Sequence, residues 1–258
     1  MEKPVVLHTI FEARYEHGYR YLDRCGDAML TLESLLSELT GASWWPDQMA
    51  PTGAKISCPA LDVAVSFDSY RMNVQGLSDT KTYDFPAVCQ QVLSTITGRF
   101  DLRQFTRFGY RRVFGIIADS IEEAEKLSAK HSPCPNWPES LPNDVSLVSS
   151  EVANVFEDAE HSRGCRCSLG PSNQPEAPQQ VDERLRLPAR LLATGQREAL
   201  RERLKRQREN SKDPLACLKI DLDFYFFRPE DPDPTKLIEW ATSLEIQLLE
   251  TAIRRINR

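Results

Sequence analysis

The sequence predicts an α+β fold, made of two α/β-layer halves with mostly antiparallel sheets and closed by a C-terminal amphipathic helix. The first half alternates strand-like and helix-like runs in the order β-α-β-β-α-β-α. A stretch at 131–144 carries four prolines, at positions 133, 135, 138 and 142. The chain has 258 residues, 41% of them hydrophobic, which is enough for one or two domains. We therefore predict an N-terminal α+β domain at 1–130, a proline-rich linker at 131–144 and a C-terminal α+β domain at 145–258.

The first elements follow from hydrophobic spacing. Residues 4–15 alternate loosely between apolar and polar side chains, which predicts a strand. Residues 21–39 repeat apolar side chains at intervals of three and four, which predicts a helix, and Gly41 suits its C-terminus. The stretch 54–77 alternates again and predicts a hairpin or meander with a turn at Asp68.

The rest of the N-terminal half continues this pattern. Residues 83–100 predict a second amphipathic helix, for which Asp84 is the expected N-cap and Gly98 the expected end. Residues 106–119 predict a strand. Residues 120–130 begin with a serine and early glutamates, which is typical of a short helix.

The C-terminal half is predicted in the same way. Residues 145–158 predict a strand or hairpin, and residues 163–180 predict a mobile loop because they are rich in glycine, proline, serine and glutamine. Residues 194–213 predict a highly charged helix and residues 215–227 a strand. The final stretch, 231–258, predicts an amphipathic helix with a proline in its first turn.

Three stretches resemble a sporadically distributed bacterial family of uncharacterised proteins. They are "VAVSFDSYRMNVQGL" leading through "TYDF" into the second helix, "RFGYRRV" at 107–113, and "KIDLDFYF" followed by a helix with the pattern "EWATSLEIQLLETAI". The resemblance implies a compact cytoplasmic α+β protein. It implies no particular reaction, cofactor or partner.

Asp221 and Asp223 lie two residues apart in "KIDLDFYFF" and are candidate ligands for a divalent metal. The two-residue period of a strand places both on one face with Lys219, and places the apolar side chains on the other. A site of this kind needs a third oxygen ligand, and none occurs at a diagnostic spacing. The solvated face of an ordinary strand is therefore favoured over a metal site.

Arg107, Gly109 and Arg111 form a candidate anion site on one side of the strand "RFGYRRV". A glycine between two arginines leaves room for a planar or anionic group to be held by the guanidinium groups. The alternative, which we favour, is that the arginines pair with surface carboxylates.

The segment "HSRGCRC" contains His161, Cys165 and Cys167, which are possible zinc ligands. Cys134 is the only nearby candidate for a fourth ligand. A flexible polar loop with exposed thiols is the favoured alternative, because zinc sites commonly use two well-spaced ligand pairs.

The segment 184–212 has a marked excess of positive charge in an acidic protein. Its central arginines are candidate contacts for nucleic acid or for an acidic protein partner. The segment lacks aromatic residues for base stacking, and glutamates alternate with its arginines, so nucleic acid is not favoured. The arginines concerned are Arg197, Arg201, Arg203, Arg206 and Arg208.

Together these features favour a non-enzymatic cytoplasmic binding or protein-interaction protein without a cofactor. The sequence has no phosphate-binding glycine loop, nucleophile elbow or H-E-x-x-H motif. It has no apolar run of the ~20 residues that cross a bilayer, and its net charge is −6. We expect an unidentified protein partner, which includes a second copy of the chain, and no membrane association. The alternatives are a nucleic-acid-binding protein using 184–212 and a metal-dependent enzyme using Asp221 and Asp223.

Overall fold

The computed structural model describes residues 4–76, 83–129, 152–173, 192–210 and 216–256. These residues form five helices and one nine-stranded antiparallel sheet, which confirms the predicted α+β class. The predicted linker at 131–144 lies outside the described residues. None of the helices within the described ranges is long and apolar enough to cross a membrane.

The strands and helices have the following bounds. The strands are β1 (Val5–Tyr15), β2 (Trp45–Ala50), β3 (Gly53–Cys58), β4 (Val63–Phe67), β5 (Arg71–Gly76), β6 (Phe105–Ile117), β7 (Val152–Asp158), β8 (Arg163–Asn173) and β9 (Ala216–Phe227). The helices are α1 (Tyr21–Thr40), α2 (Phe85–Phe100), α3 (Ile121–Ala129), α4 (Gln196–Asn210) and α5 (Pro234–Ile256). The strand order across the sheet is β2-β3-β4-β5-β1-β6-β9-β8-β7.

Strand β6 joins the strands that precede the 131–144 stretch to those that follow it. It pairs with β1 on one side and with β9 on the other, and both pairings are antiparallel. Strands from both predicted domains therefore lie side by side in one sheet. The division into two domains stays a prediction.

Three helices cover one face of the sheet, which we call the helix face. The ring of Trp240 in α5 lies 5.8 Å from that of Phe224 in β9, and Phe85 in α2 lies 6.3 Å from Tyr110 in β6. Tyr21 in α1 packs on the β4 end of the same face. Because successive strand residues alternate between faces, the residues between these core positions point to the opposite face, which we call the second face.

Two helix ends show which local predictions hold. Gly41 adopts a left-handed conformation after α1, with φ of 64°, as predicted. Asp84 caps α2 as predicted, since its Oδ1 accepts a hydrogen bond from the backbone of Ala87 at 3.0 Å. The prediction that Gly98 ends α2 is wrong. The helix continues to Phe100, because the buried Phe100 ring holds the last turn against the core.

Two of the strands, β2 and β8, were not predicted from the sequence. Strand β2 has a mixed composition, and strand β8 occupies 163–173, where a mobile loop was predicted. Strand β8 forms because β7 and β9 pair with it on both sides. A Cβ atom at Gly164 would lie 2.6 Å from the ring of Tyr225, so this glycine allows a close strand contact and does not indicate a loop. Residues 174–180 of the predicted loop lie outside the described ranges.

Candidate functional site

The two candidate sites on β6 and β9 are each other's partners on the second face. Arg107 donates from Nη2 to both carboxylate oxygens of Asp223 at 2.7 Å. Arg111 donates from Nε to Oδ1 of Asp221 at 2.7 Å, and its Nη2 contacts Oδ2. The β6–β9 register brings these strands side by side, with Arg111 directly opposite Asp223. The arginines thus pair with carboxylates, as the favoured alternative predicted, although these carboxylates come from the candidate metal site.

Gly109 allows Arg107 to reach Asp223 along the strand. A Cβ atom at Gly109 would lie 2.7 Å from Nη1 of Arg107, so the guanidinium group lies over the glycine. The Cζ atom of this guanidinium group lies 5.2 Å from the centre of the Tyr225 ring. Tyr225 is directly opposite Gly109 in the β6–β9 register. The planar group that occupies the space above Gly109 is therefore the side chain of Arg107 itself.

Burial corrects the description of Asp221 as part of a solvated strand face. Asp221 is 3% exposed, which removes its carboxylate from water. The ion pair with Arg111 balances the charge of this buried carboxylate. Asp223 is partly buried, and burial raises its pKa more strongly than the nearby Arg107 lowers it. A metal ion bound by these carboxylates would have to displace both guanidinium groups. Within the described ranges, no group of three His, Cys, Asp or Glu side chains lies close enough together to hold a metal ion.

Glu12 is shared by three arginines further along the second face. Its Oε1 accepts hydrogen bonds from Nε of Arg14 at 2.7 Å and from Nη1 of Arg107 at 3.1 Å. Nη1 of Arg71 lies 4.0 Å from Oε2, and Arg71 also contacts Asp68. Arg14 and Arg71 are directly opposite each other on β1 and β5, and more than half of each side chain is exposed. Like charges in this position repel each other.

An exposed aromatic cluster lies at the same end of the sheet. Tyr19 is 82% exposed and Tyr70 is 57% exposed, and the ring of His17 lies 4.8 Å from the first and 5.3 Å from the second. The backbone of Gly18 donates to the carbonyl of Ser69 at 2.7 Å, which ties the end of β1 to the turn between β4 and β5. We call this surface the arginine–tyrosine patch, defined as Arg14, His17, Tyr19, Tyr70 and Arg71.

Sequence reasoning missed the arginine–tyrosine patch. Its residues come from two segments about fifty positions apart, and the pairing of β1 with β5 brings them together. The local signal was the stretch "RYEHGYR" at 14–20, in which arginine, histidine and tyrosine are dense. The patch could not be predicted from this stretch because the sequence does not show which of these side chains are exposed.

The three candidate zinc ligands are not gathered into a site. Cys165 and Cys167 lie on β8, opposite Phe224 and Leu222, which places both on the helix face. Cys165 is buried, and burial raises its pKa to about 12, so the prediction of an exposed thiol there is wrong. His161 lies in the turn before β8, where its Nδ1 is 2.8 Å from Oδ2 of Asp158. Cys134 lies outside the described residues.

The positively charged segment 184–212 contains helix α4, which confirms the helix predicted at 194–213. Leu200 is buried and anchors it, while Arg201 is exposed. The side chains of Arg203, Arg206 and Arg208 lie outside the part of the chain that the structure describes. Binding of nucleic acid by this segment therefore stays a prediction.

Comparison of the chain with models of protein families, with curated proteins and with solved structures finds no match in any of the three. The resemblance to a bacterial family, carried by "RFGYRRV" and "KIDLDFYF", therefore stays an expectation from the sequence. The function must be inferred from the geometry of the second face and of its arginine–tyrosine patch.

Proposed function

We propose that this chain is a non-enzymatic cytoplasmic protein that binds an acidic segment of another protein through the arginine–tyrosine patch. The observation that carries the proposal is the position of exposed Tyr19 and Tyr70 beside the opposed pair Arg14 and Arg71. Tyrosine and arginine are among the residues enriched at the energetic centres of protein interfaces. A tyrosine supplies a large contact area and loses little conformational entropy on binding.

The charges of the patch select an acidic partner. Arg14 pairs with Glu12, and it shares this carboxylate with Arg71 and Arg107. A carboxylate from a partner placed between Arg14 and Arg71 would reduce their mutual repulsion and accept charge-assisted hydrogen bonds. The tyrosine rings would pack against the apolar part of the same segment.

The pairing of the two aspartates supports a non-enzymatic role. Asp221 and Asp223 are each held by an arginine with short hydrogen bonds. The positive charges of Arg107 and Arg111, which already bind the carboxylate oxygens, would repel an added cation. These side chains therefore fit a structural ion-pair ladder better than a catalytic metal centre.

Nucleic acid is the second candidate ligand of this patch, separate from the predicted binding by 184–212, because arginines beside exposed aromatic rings also suit single-stranded RNA or DNA. Carboxylates near the patch disfavour a phosphate backbone, which is charged at every nucleotide, more than a peptide whose acidic residues alternate with apolar ones. Glu12 lies between the arginines, Glu16 is exposed beside His17, and Asp68 contacts Arg71. These groups and the net charge of −6 repel a phosphate backbone.

The test is a fluorescence-anisotropy titration with two labelled probes, a peptide of alternating glutamate and leucine and a mixed-sequence single-stranded DNA. We expect the wild type to bind the peptide. The variant Arg14→Glu/Arg71→Glu should bind the peptide with an affinity at least about tenfold lower, which corresponds to about 1.4 kcal/mol. Lys126→Glu, which reverses an exposed charge on α3, is the matched control and should have no effect. Tighter binding to DNA, with a salt slope near −0.7 per phosphate contacted, would instead favour nucleic acid as the ligand.

The enzyme alternative has a separate test. Thermal unfolding is measured with and without Mg²⁺ or Mn²⁺ for the wild type and for Asp221→Asn. We expect neither ion to stabilise the wild type. Stabilisation that the substitution removes would show that Asp221 binds the metal and would contradict the non-enzymatic proposal.

A further inference from the structure

The two edges of the sheet differ in how well they are protected against pairing with another strand. Within the described ranges the sheet ends in β2 on one side and in β7 on the other. Strand β2 contains Pro46, and its pairing with β3 is interrupted by an irregularity between Pro46 and Gln48. Proline and bulges are two of the features by which natural sheets block their edges.

Strand β7 has none of these features. Its seven residues, Val152–Asp158, pair with β8 in an unbroken register and include no proline, lysine or arginine. Val155 is 57% exposed and Phe156 is 53% exposed, and as neighbours in a strand they point to opposite faces. In the part of the chain that the structure describes, β7 pairs with β8 alone. Among the described residues, its outer backbone groups therefore form an open edge that carries apolar side chains on both faces.

We propose that β7 pairs antiparallel with β7 of a second copy of this chain, which makes one continuous sheet across a two-fold axis at Val155. A two-fold axis perpendicular to the sheet keeps equivalent side chains on the same face. The register centred on Val155 pairs all seven residues and places the two Val155 side chains directly opposite each other. The two Phe156 rings then lie on the opposite face as diagonal neighbours, within reach of aromatic contact.

The distribution of charge on β7 favours the antiparallel arrangement. Glu157 and Asp158 both lie at the C-terminal end of the strand, and Asp158 is held by Nε of Arg163 at 2.9 Å. Antiparallel pairing places Glu157 opposite Ala153 of the second copy and keeps the two acidic ends apart. Parallel pairing would put both acidic ends side by side, which is unfavourable. The strand is thus complementary to itself in one direction only.

The inference is independent of the proposed function. The arginine–tyrosine patch lies at the ends of β1 and β5, whereas β7 is the last strand of the sheet. A variant of one surface leaves the other unchanged, so either proposal can fail alone.

The first test measures the mass of the full chain by light scattering and by analytical ultracentrifugation over a wide range of concentration. We expect the wild type to be a dimer and Val155→Lys/Phe156→Lys to weaken self-association at least about tenfold, with an unchanged circular-dichroism spectrum. Met49→Lys places one lysine at an exposed position of the opposite edge strand, β2, and should leave the dimer intact. A monomeric wild type, or a dimer that the β7 variant does not weaken, would overturn the proposal.

A second test does not depend on disrupting the strand. Val155→Cys places two thiols directly opposite each other across the axis, within the Cα separation of ~4.4–6.8 Å that a disulfide allows. We expect mild oxidation to give a covalent dimer. The wild type, with its own cysteines, controls for background, and Phe156→Cys should react more slowly because its copies are only diagonal neighbours. Equal dimer yields for the two cysteine variants would show that the register is wrong.

Discussion

At the scale of the residue, Gly109 determines how the charges of the second face are paired. Arg107 lies along its own strand only because no side chain projects from Gly109. From there it reaches Asp223, which burial would otherwise leave with a costly negative charge. A glycine that suggests a ligand-binding space in the sequence thus serves an internal ion pair.

We therefore predict that Gly109→Ala destabilises the protein by about 1–2 kcal/mol, because it displaces Arg107 and leaves Asp223 poorly paired. Urea unfolding measures the effect. Gly98→Ala is the matched control: Gly98 lies inside α2 with open space around it, and alanine there should be neutral or stabilising by about 0.5–1 kcal/mol. The cost of Gly109→Ala should also vanish in an Arg107→Ala background. If the cost persists there, Arg107 is not its cause.

Asp158 supports a prediction about pH. Hydrogen bonds from His161 and Arg163 lower the pKa of its partly buried carboxyl group to about 2. A lowered pKa in the folded state contributes stability that is present above the ordinary carboxyl pKa of ~3.9 and is lost as pH falls toward the folded value. Asp158→Asn should therefore lower the melting temperature at about pH 6 and have little effect at about pH 2. An equal effect at both pH values would show that the carboxylate charge is not involved.

At the scale of the element, one buried ion pair sets how α5 lies on the sheet. Arg112 of β6 donates from Nη1 to both oxygens of Glu245, at 2.8 and 3.1 Å. Glu245 is buried, and burial raises its pKa more strongly than Arg112 lowers it. The pair lies on the helix face among apolar side chains, so each charge depends on the other.

Removing one member of this pair should be costly. We predict that Glu245→Leu destabilises the protein by about 3–5 kcal/mol, because Arg112 is left buried without its carboxylate. Glu250→Leu is the control, since Glu250 forms an exposed pair with Arg254 in the same helix and should change stability by less than about 0.5–1 kcal/mol. Combining Glu245→Leu with Arg112→Met should recover most of the loss in denaturant unfolding. Additive losses would contradict a direct coupling.

At the scale of the whole molecule, the pairing of β6 with β9 joins the two predicted domains. The register runs without interruption from Arg107 opposite Phe227 to Ile117 opposite Cys217. Separating the halves would expose backbone groups and apolar side chains along both strands. We therefore predict that the described strands unfold as a single unit.

Tryptophan fluorescence can test this cooperativity. Trp44 packs on α1 in the first half, and Trp240 packs on β9 in the second. We would make two variants, each of which keeps only one of these tryptophans and has the others changed to phenylalanine. For each variant, the urea midpoint measured by tryptophan fluorescence should equal the midpoint measured by circular dichroism. A tryptophan transition separated from the circular-dichroism transition would support two independent domains instead.

The sequence by itself determined the elements whose signal is local. The spacing of apolar side chains located α1, α2, α5 and β9, and the alternation in "KIDLDFYFF" correctly assigned its two faces. Such periods depend only on the geometry of one helix or strand, so a short window contains all the information. The predictions for residues 77–82 and 174–191 are not tested, because these residues lie outside what the structure describes.

Only the tertiary structure decided which charges meet and which surfaces stay open. Arg107 and Asp223 are separated by 116 positions, and the register of β6 and β9 alone makes them partners. Strand β8 lacks a strand-like composition, and it forms because its neighbours supply backbone hydrogen bonds on both sides. Pairing between distant strands depends on the whole sheet, since each register is set by packing on the shared core. For the same reason Tyr19 and Tyr70 lie in one patch only because the turn between β4 and β5 packs against the end of β1 in the folded chain.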